Sequence, residues 1–327
     1  MRVSNIEGNK SIIYKQGDTS DIHFTIAASC IFTVCLFGML GNGIAFWFLS
    51  FRIPRNKYTV YIINLMIADF IYLFFNATLM TLHIDQLMGF HPYSPGIAKA
   101  NLLLELMYDG AYQGGMLFLL AISIERCLSV YYPIWYRCRR PKHQSIIVCL
   151  SVWVVACLVS FLQNLVCSPQ PFSTGSVECT GVQMMSFVLS IGLSAPLMIC
   201  SSIILLIRIQ KMSKRCRPPK LYTIIIITVF VFLIATVPIK FMWLLLYFKY
   251  LPRNFHTARF VFASVLCTVL SSSINPYIYF MVGIQKKQKK EKLQHSIQFA
   301  LQSAFHVVDE EAENPVGDIS RISYINT

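Results

Sequence analysis

Seven long apolar stretches constrain this chain more than any other feature. Of its 327 residues, 55% are hydrophobic and 13% are charged, and the mean hydropathy is +0.57. That leaves too few charges for the surface of a water-soluble protein of this length. Crossing the hydrocarbon core takes about 20 apolar residues, and lipid requires each crossing to be helical. We predict an all-α membrane protein, a seven-transmembrane helix bundle with spans at 24–50, 58–83, 97–131, 145–167, 181–208, 221–248 and 257–281.

Basic residues identify the cytoplasmic side of this bundle. Lysine and arginine concentrate between spans 1 and 2, 3 and 4, and 5 and 6, and directly after span 7. The positive-inside rule places these segments in the cytoplasm and the N-terminus outside. The net charge of +13 then follows from topology and contact with anionic membrane lipid, so no nucleic-acid partner is expected.

The chain beyond the spans divides into three predicted segments. Residues 1–23 form the extracellular N-terminus and carry a glycosylation sequon at Asn9. The transmembrane domain occupies residues 24–283. Residues 284–305 place apolar side chains on one side of a helix and lysines opposite, which predicts a short amphipathic eighth helix. The polar, acidic residues 306–327 predict a disordered cytoplasmic tail.

The eleven cysteines are unevenly placed relative to the membrane. Nine fall within spans or on the cytoplasmic side, which predicts free thiols. Cys167 and Cys179 fall together in one outer loop, between spans 4 and 5. We predict a disulfide between them, which stabilises by about 3 kcal/mol on the chain-entropy model. The alternative is a pair of free thiols in an oxidising compartment.

Asp69 in span 2 is a carboxylic acid inside the membrane, where a charge costs roughly 3 kcal/mol on insertion scales. Asn42 of span 1 and Ser271, Ser272 and Asn275 of span 7 can satisfy it if these spans meet at mid-depth. Two interpretations fit. One is a structural hydrogen-bond cluster, and the other is a protonatable or sodium-binding centre that biases two helix arrangements.

Glu125 and Arg126 end span 3 at the cytoplasmic mouth of the bundle. A charged pair between them would hold the mouth closed until the arginine is needed elsewhere. The alternative is that Arg126 extends to the lipid headgroups. The adjoining basic loop, and the Asn-Pro-x-x-Tyr pattern that ends span 7, favour the first interpretation.

Prolines in spans 5, 6 and 7 each remove a backbone hydrogen bond and supply bends about which helix segments can swing. Together with the polar residues of the spans they make up a predicted activation switch. Its members are Asn42, Asp69, Glu125, Arg126, Pro196, Pro238, Asn275, Pro276 and Tyr279.

Charged residues also lie toward the outer half of the spans. Glu105 and Asp109 share one face of span 3, and Lys240 follows Pro238 in span 6. Lipid tolerates none of them, so either they pair with one another or they contact the polar ends of a ligand. The aromatic residues at this depth, Tyr112 and Trp243 among them, are typical of packing and of the membrane interface, and these two are also candidate ligand contacts.

The motifs together resemble a rhodopsin-class G-protein-coupled receptor of the Mas and Mas-related group. The general class is indicated by Asn42, the segment from Asn64 to Asp69, Glu125-Arg126, Trp153, the three span prolines and Asn275-Pro276 with Tyr279. The subgroup resemblance is carried by Ala121-Ile-Ser-Ile-Glu-Arg-Cys-Leu-Ser-Val130, followed by Tyr132-Pro-Ile-Trp-Tyr-Arg-Cys138 and Arg140-Pro-Lys-His-Gln-Ser145.

Departures from the wider class point to the same subgroup. No cysteine stands at the outer end of span 3, and the Cys167–Cys179 pair resembles the subgroup's replacement. Thr236 occupies the place of the usual toggle tryptophan, and Gly115 that of a serine of the sodium pocket. Gln163 and Gln183 stand where cation-sensing relatives carry acids, so recognition of strongly cationic ligands does not carry over, although both remain candidate ligand contacts.

The resemblance implies a plasma-membrane receptor that binds a peptide or small-molecule ligand and activates heterotrimeric G proteins of the Gq or Gi class, with arrestin as a further partner and roles in nociception or itch. No catalytic constellation, cofactor motif or metal spacing is present in the sequence, which predicts a protein that is not an enzyme. The alternatives are a weakly or constitutively signalling orphan receptor or partner subunit, and a seven-helix transporter. Internal repeats expected of a transporter are not evident.

Overall fold

The structure, a computed structural model, describes the backbone of residues 4–52, 58–88, 95–167, 177–212, 220–250 and 255–284. Within these ranges, seven stretches are long and apolar enough to cross a membrane, which confirms the predicted seven-helix fold. The helices are α1 (Ser4–Phe51), α2 (Thr59–Met88), α3 (Pro95–Tyr131), α4 (Pro133–Cys138), α5 (Gln144–Val166), α6 (Val177–Phe187), α7 (Ala195–Met212), α8 (Lys220–Tyr247) and α9 (Phe255–Ile284), with a π-helical segment (Val188–Ser194) between α6 and α7.

Helix α3 occupies the centre of the bundle. It packs against α2, α5, α7 and α8, while α1 packs against α2 and α9 on the far side. The polar residues of α3 therefore face neighbouring helices. On the outer helix α5, Leu150, Val154 and Leu158 recur every four residues and are more than half exposed. An apolar stripe of this kind, on a chain with seven such spans, is the face that lipid covers.

Small residues allow α1 to approach α9 closely. A Cβ atom on Gly38 would collide with the Ser273 hydroxyl and lie 2.7 Å from Leu73 Cδ1. A Cβ on Gly41 would lie 3.0 Å from the ring of Tyr277. Close approach through small residues is a common way to pack membrane helices. Here it brings Asn42, the residue after Gly41, against the backbone of α9.

Span 5 is less regular than its sequence predicted. It begins at Val177 rather than at 181, and it runs through α6, the π-helical segment and α7. The backbone N–H of Ala195 donates to the carbonyl of Ser190, five residues back, as expected in a π-turn. The bend predicted at Pro196 is thus preceded by a π-helical turn, because a proline cannot donate to the carbonyl four residues before it.

Several predictions concern residues beyond those described. The side chains of Asn9 and Tyr279, the predicted eighth helix beyond residue 284 and the predicted tail at 306–327 lie outside the described part of the chain. The backbone of α1 begins at Ser4, within the segment predicted as the N-terminus.

Candidate functional site

An ion pair lies buried at the end of the bundle that holds Arg126, here called the Arg126 end. Glu125 Oε1 accepts hydrogen bonds from Arg140 Nη2 at 2.8 Å and from the Tyr61 hydroxyl at 2.7 Å. Arg140 Nη2 also donates to the Ser145 hydroxyl at 2.8 Å. The side chains of Arg140 and Glu125 are 1% and 5% exposed. The acid therefore pairs with an arginine from the loop after α4, and the predicted Glu125–Arg126 pair is wrong for this structure.

Arg126 itself rests on an aromatic ring. Its guanidinium carbon lies 3.4 Å from the ring centroid of Tyr58, which stacks on Tyr136 at 5.6 Å. The guanidinium of Arg140 lies 4.8 Å from the Tyr136 centroid, so two arginines flank two stacked rings. Within the described residues Arg126 forms no ion pair, although it is only 3% exposed.

Charge states at this cluster follow from burial and neighbouring groups. Burial, with a smaller effect of Tyr58 and Glu125, raises the pKa of the Tyr136 phenol far above its usual value, so the ring stays neutral. Burial alone would lower the pKa of Arg140, but Tyr136 and Glu125 outweigh it and the pKa is raised. Arg140 is therefore charged at every physiological pH.

A second polar cluster joins α1, α2 and α9 at the middle of the bundle. Asn275 Nδ2 donates to Asp69 Oδ2 at 2.7 Å, and the Ser272 side chain also lies against this carboxyl group. Asn42 Nδ2 donates to the carbonyls of Gly38 and Ser272, at 2.9 and 3.1 Å. Asn42 thus reaches Asp69 through Ser272 rather than directly.

Gly115 of α3 faces the same carboxyl group. A Cβ atom added at this position would lie 3.5 Å from Asp69 Oδ1. A serine here would therefore point its hydroxyl toward Asp69. Glycine supplies none, and the described hydrogen-bond partners of Asp69 are Asn275 and Ser272 of α9.

Charged residues gather between α3 and α8 nearer the other end of the bundle. Lys240 Nζ lies 5.1 Å from the ring centroid of Tyr112. Asp109 Oδ2 accepts a hydrogen bond from Asn164 Nδ2 at 2.9 Å. Lys240 and Asp109 are near enough to interact electrostatically but form no ion pair in the described structure. Glu105 is exposed four residues before Asp109 on α3.

Aromatic side chains pack against Tyr112, the residue beside Lys240. The Tyr112 ring lies between Tyr72 and Phe232, with centroids at 5.7 and 6.5 Å. Trp243, another predicted contact, is 41% exposed on α8. Lys240 of α8 thus lies beside Tyr112 of α3, whereas Trp243 is exposed.

A disulfide between Cys167 and Cys179 marks this end, called the disulfide end below, and confirms the predicted pairing. The bridge and Tyr247 of α8 are buried together. Tyr247 and Thr180 share a hydrogen bond of 2.7 Å between their hydroxyls. The end of α5 and the start of α6 are thereby tied to α8.

The two predicted glutamines lie on either side of the bridge. Gln183 Nε2 lies 3.8 Å from Cys167 Sγ and makes a weak hydrogen bond to it. The carbonyl of Gln163 accepts from the backbone N–H of Cys167 at 3.3 Å. Both residues are partly buried, so uncharged amides border the bridge.

Comparisons with known proteins agree with this architecture. Residues 41–279 match the model of the family described as 7 transmembrane receptor (rhodopsin family). Proto-oncogene Mas of Rattus norvegicus is 38% identical over 278 residues, covering 84% of this chain and 82% of that protein. Mas-related G-protein coupled receptor member D is 35% identical over 297 residues in Rattus norvegicus, covering 90% of each chain, and 34% identical over 278 residues in Homo sapiens, covering 84% of each.

The chain belongs to the Mas and Mas-related group of rhodopsin-family receptors. It is a multi-pass membrane receptor, of a family of receptors rather than of enzymes. The region matched by the family model extends from the residue before Asn42 to Tyr279, so it contains every predicted switch residue.

Three side chains that contact Glu125 or Arg126 were not marked by the sequence pattern. Arg140, Tyr58 and Tyr61 hold Glu125 and Arg126 in place, but basic loop residues are already explained by topology, and tyrosines near span ends by the membrane interface. Asn164, the partner of Asp109, was likewise unmarked. Its signal was its polarity within the predicted span 4, where it follows Gln163 directly.

Removing the disulfide is expected to destabilise the receptor. The bridge closes a loop with a sequence separation of 12 residues. On the chain-entropy model, such a closure stabilises the folded state by about 3 kcal/mol. The variant Cys167→Ser should therefore lower the melting temperature of the purified receptor and its surface level in cells. Cys157→Ser, at an exposed free cysteine of α5, is the matched control. Equal melting temperatures for both variants would show that the bridge contributes nothing.

Proposed function

We propose that this receptor binds an extracellular peptide or small-molecule ligand at its disulfide end and activates heterotrimeric G proteins at its Arg126 end. The receptor lies in the plasma membrane with its N-terminus outside and its C-terminus in the cytoplasm. The basic loops at the Arg126 end support this orientation. The names of the member D relatives support the coupling, since those proteins are called G-protein coupled receptors.

The observation that carries the proposal is the state of Arg126. The side chain is buried at the mouth of the bundle, and among the described residues it is held by the face of Tyr58 and by no carboxylate. A contact with a neutral ring is worth about 0.5 to 2 kcal/mol, well below a buried ion pair. Arg126 can therefore leave this position when α8 swings outward and admit the helix of a partner.

The disulfide end supplies the ligand contacts in this proposal. Glu105, Asp109 and Lys240 are the charged candidates, and Tyr112 and Trp243 the aromatic ones. Gln163 and Gln183 border the bridge at the entrance. The two ends communicate through Asp69, whose bond to Asn275 couples α2 to α9, and through bends at Pro196, Pro238 and Pro276.

The finer assignments rest on the family resemblance. They are coupling to G proteins of the Gq or Gi class, binding of arrestin after activation, and a role in nociception or itch. Gln163 and Gln183 argue against strongly cationic ligands, because neither amide supplies the negative charge that would offset the desolvation of a cation.

A second candidate function is constitutive signalling, as an orphan receptor or as a partner subunit. The pairing of Glu125 with Arg140 favours it, because Arg126 is left without an acidic restraint. A receptor restrained only by a ring contact has a small free-energy gap to its active arrangement, and a small gap populates that arrangement without ligand.

G-protein docking is tested through Ile134 in the short helix α4. This side chain is 79% exposed at the Arg126 end, and an exposed aliphatic residue there suits a protein partner. Ile134→Ala should lower G-protein activation by about fivefold, equivalent to about 1 kcal/mol of interface energy. Cells expressing equal surface levels are compared in a nucleotide-exchange assay, without ligand and with a panel of peptides and amines.

The matched control is Val177→Ala, since Val177 is 86% exposed at the disulfide end. It should leave basal activation unchanged. A signal that neither variant alters would remove α4 from the G-protein interface. Absence of any signal above mock-transfected cells, with every G protein tested, would contradict the proposed function itself.

A further inference from the structure

Donor groups without acceptors converge between α3 and α8. The Tyr112 hydroxyl lies beside that of Thr236, yet no described group forms a hydrogen bond of good geometry with either oxygen. Lys240 lies one helical turn beyond Thr236 on α8, with its ammonium group over the Tyr112 ring. Buried donors left without acceptors are costly. One cation and two hydroxyls therefore lie together without a shared acceptor among the described residues.

The internal acids do not fill that place in the structure. Asp109 acts on Lys240 electrostatically, but its Oδ2 atom accepts a hydrogen bond from Asn164. Glu105 lies a further turn toward the disulfide end and is exposed. No ion pair of Lys240 is present among the described residues.

We propose that Lys240, Tyr112 and Thr236 form a binding site for a carboxylate group of the ligand, which deepens and rests on the function proposed above. A carboxylate accepts hydrogen bonds from an ammonium and from hydroxyls at once. One lysine and two neutral donors match a group with one negative charge. A phosphate, with up to two charges, is more often held by arginines in bidentate geometry.

The acids of α3 define the other end of this ligand. Asp109 and Glu105 precede Tyr112 by one and two helical turns, so Glu105 lies about 10 Å from Tyr112 along the helix axis. An extended peptide covers this distance in about three residues. A short peptide with its C-terminal carboxylate at Lys240 and its N-terminal ammonium facing Asp109 and Glu105 satisfies both sets of charges.

The probes are tripeptide pools with free C-termini and the same pools with amidated C-termini. Single amino acids and their amides form a second pair, which distinguishes a small ligand from a peptide. Binding to the purified full-length receptor is measured by the shift in melting temperature, and signalling by nucleotide exchange. The free tripeptides should bind, and amidation should weaken binding by about tenfold or more, the loss expected for a charge-assisted hydrogen bond.

Variants at two lysines then locate the carboxylate. Lys240→Gln should weaken binding of the free tripeptides by about the same factor and abolish the preference over the amides. Lys240→Arg should retain the preference, because the charge remains. Lys249→Gln, at an exposed lysine just beyond α8, should behave as wild type. Free amino acids that bind as well as the tripeptides would support the carboxylate site with a smaller ligand.

Three results would overturn the proposal. The first is equal binding of free and amidated probes, or no binding of either to the wild type. The second is a preference for the carboxylate that survives in Lys240→Gln. The third is destabilisation of the ligand-free receptor by Lys240→Gln that Asp109→Asn cancels, which would show an internal ion pair.

The outcome separates this inference from the proposed function. Carboxylate binding through Lys240 without nucleotide exchange would leave the site standing and contradict the receptor's coupling. Nucleotide exchange that depends on Ile134, without any discrimination of carboxylate from amide, would leave the coupling standing and overturn the site.

Discussion

Replacing Arg126 by alanine is expected to reduce G-protein activation by about tenfold or more. Coupling free energies between two sites of a protein typically correspond to changes of this size. Arg126 is buried at the mouth of the bundle and contacts the ring of Tyr58. Alanine removes the charge that is proposed to engage the partner once α8 moves. Nucleotide exchange in cells with matched surface levels measures the effect. The loss should appear in both basal and ligand-driven activity.

Arg52→Ala provides the matched control. Arg52 lies at the same end of the bundle, with its guanidinium 5.4 Å from the ring centroid of Trp47, but it is exposed. It should signal as wild type. Folding of both variants is monitored by melting temperature. Loss of the Tyr58 contact in Arg126→Ala should lower the free energy of unfolding by only about 0.5 to 2 kcal/mol. Full signalling by Arg126→Ala would refute the role given to this residue.

Breaking the Glu125–Arg140 pair is expected to have the largest effect on stability. Both side chains are almost fully buried, and Arg140→Gln leaves the Glu125 carboxylate without its cation. Removing one partner of a buried ion pair costs about 3 to 5 kcal/mol, because the remaining charge stays desolvated. Thermal unfolding of the purified variant should show this loss. Glu125→Gln should show a similar one.

The double variant Glu125→Gln/Arg140→Gln separates pairing from packing. Neutral side chains at both positions remove the uncompensated charge, so the double variant should be more stable than either single variant. Arg139→Gln, at the exposed arginine next to Arg140, is the control and should have little effect. Additive losses in the double variant would show that the two residues stabilise the receptor independently.

Local residue patterns predicted the elements of this receptor well. Each span was recognisable because about 20 apolar residues in a row have few alternatives to a membrane helix. The disulfide was predictable because Cys167 and Cys179 fall together in the loop between spans 4 and 5. The start of span 5 was placed at 181 instead of Val177, because Glu178 lowers the hydropathy of the first turn.

Partners of the polar residues were predicted less well. The Asp69–Asn275 hydrogen bond was among the expected contacts, but Asn42 reaches this carboxyl group only through Ser272. Asp109 and Lys240 were expected either to pair or to contact a ligand. They form no ion pair in the described structure, where Asp109 accepts a hydrogen bond from Asn164, and the ligand contact stays a prediction. Side-chain partners depend on how helices rotate and slide against one another, which hydropathy does not encode.

The sequence by itself determined that this chain is a seven-helix membrane protein with a disulfide in the loop between spans 4 and 5 and a charged motif at the end of span 3. Only the tertiary structure decided which charges meet. Glu125 and Arg126 are neighbours in sequence, but consecutive residues of a helix point about 100° apart and do not face each other. Helix α3 packs against α2 and against α4. Through this packing Glu125 forms an ion pair with Arg140, from the loop after α4, and Arg126 contacts the ring of Tyr58.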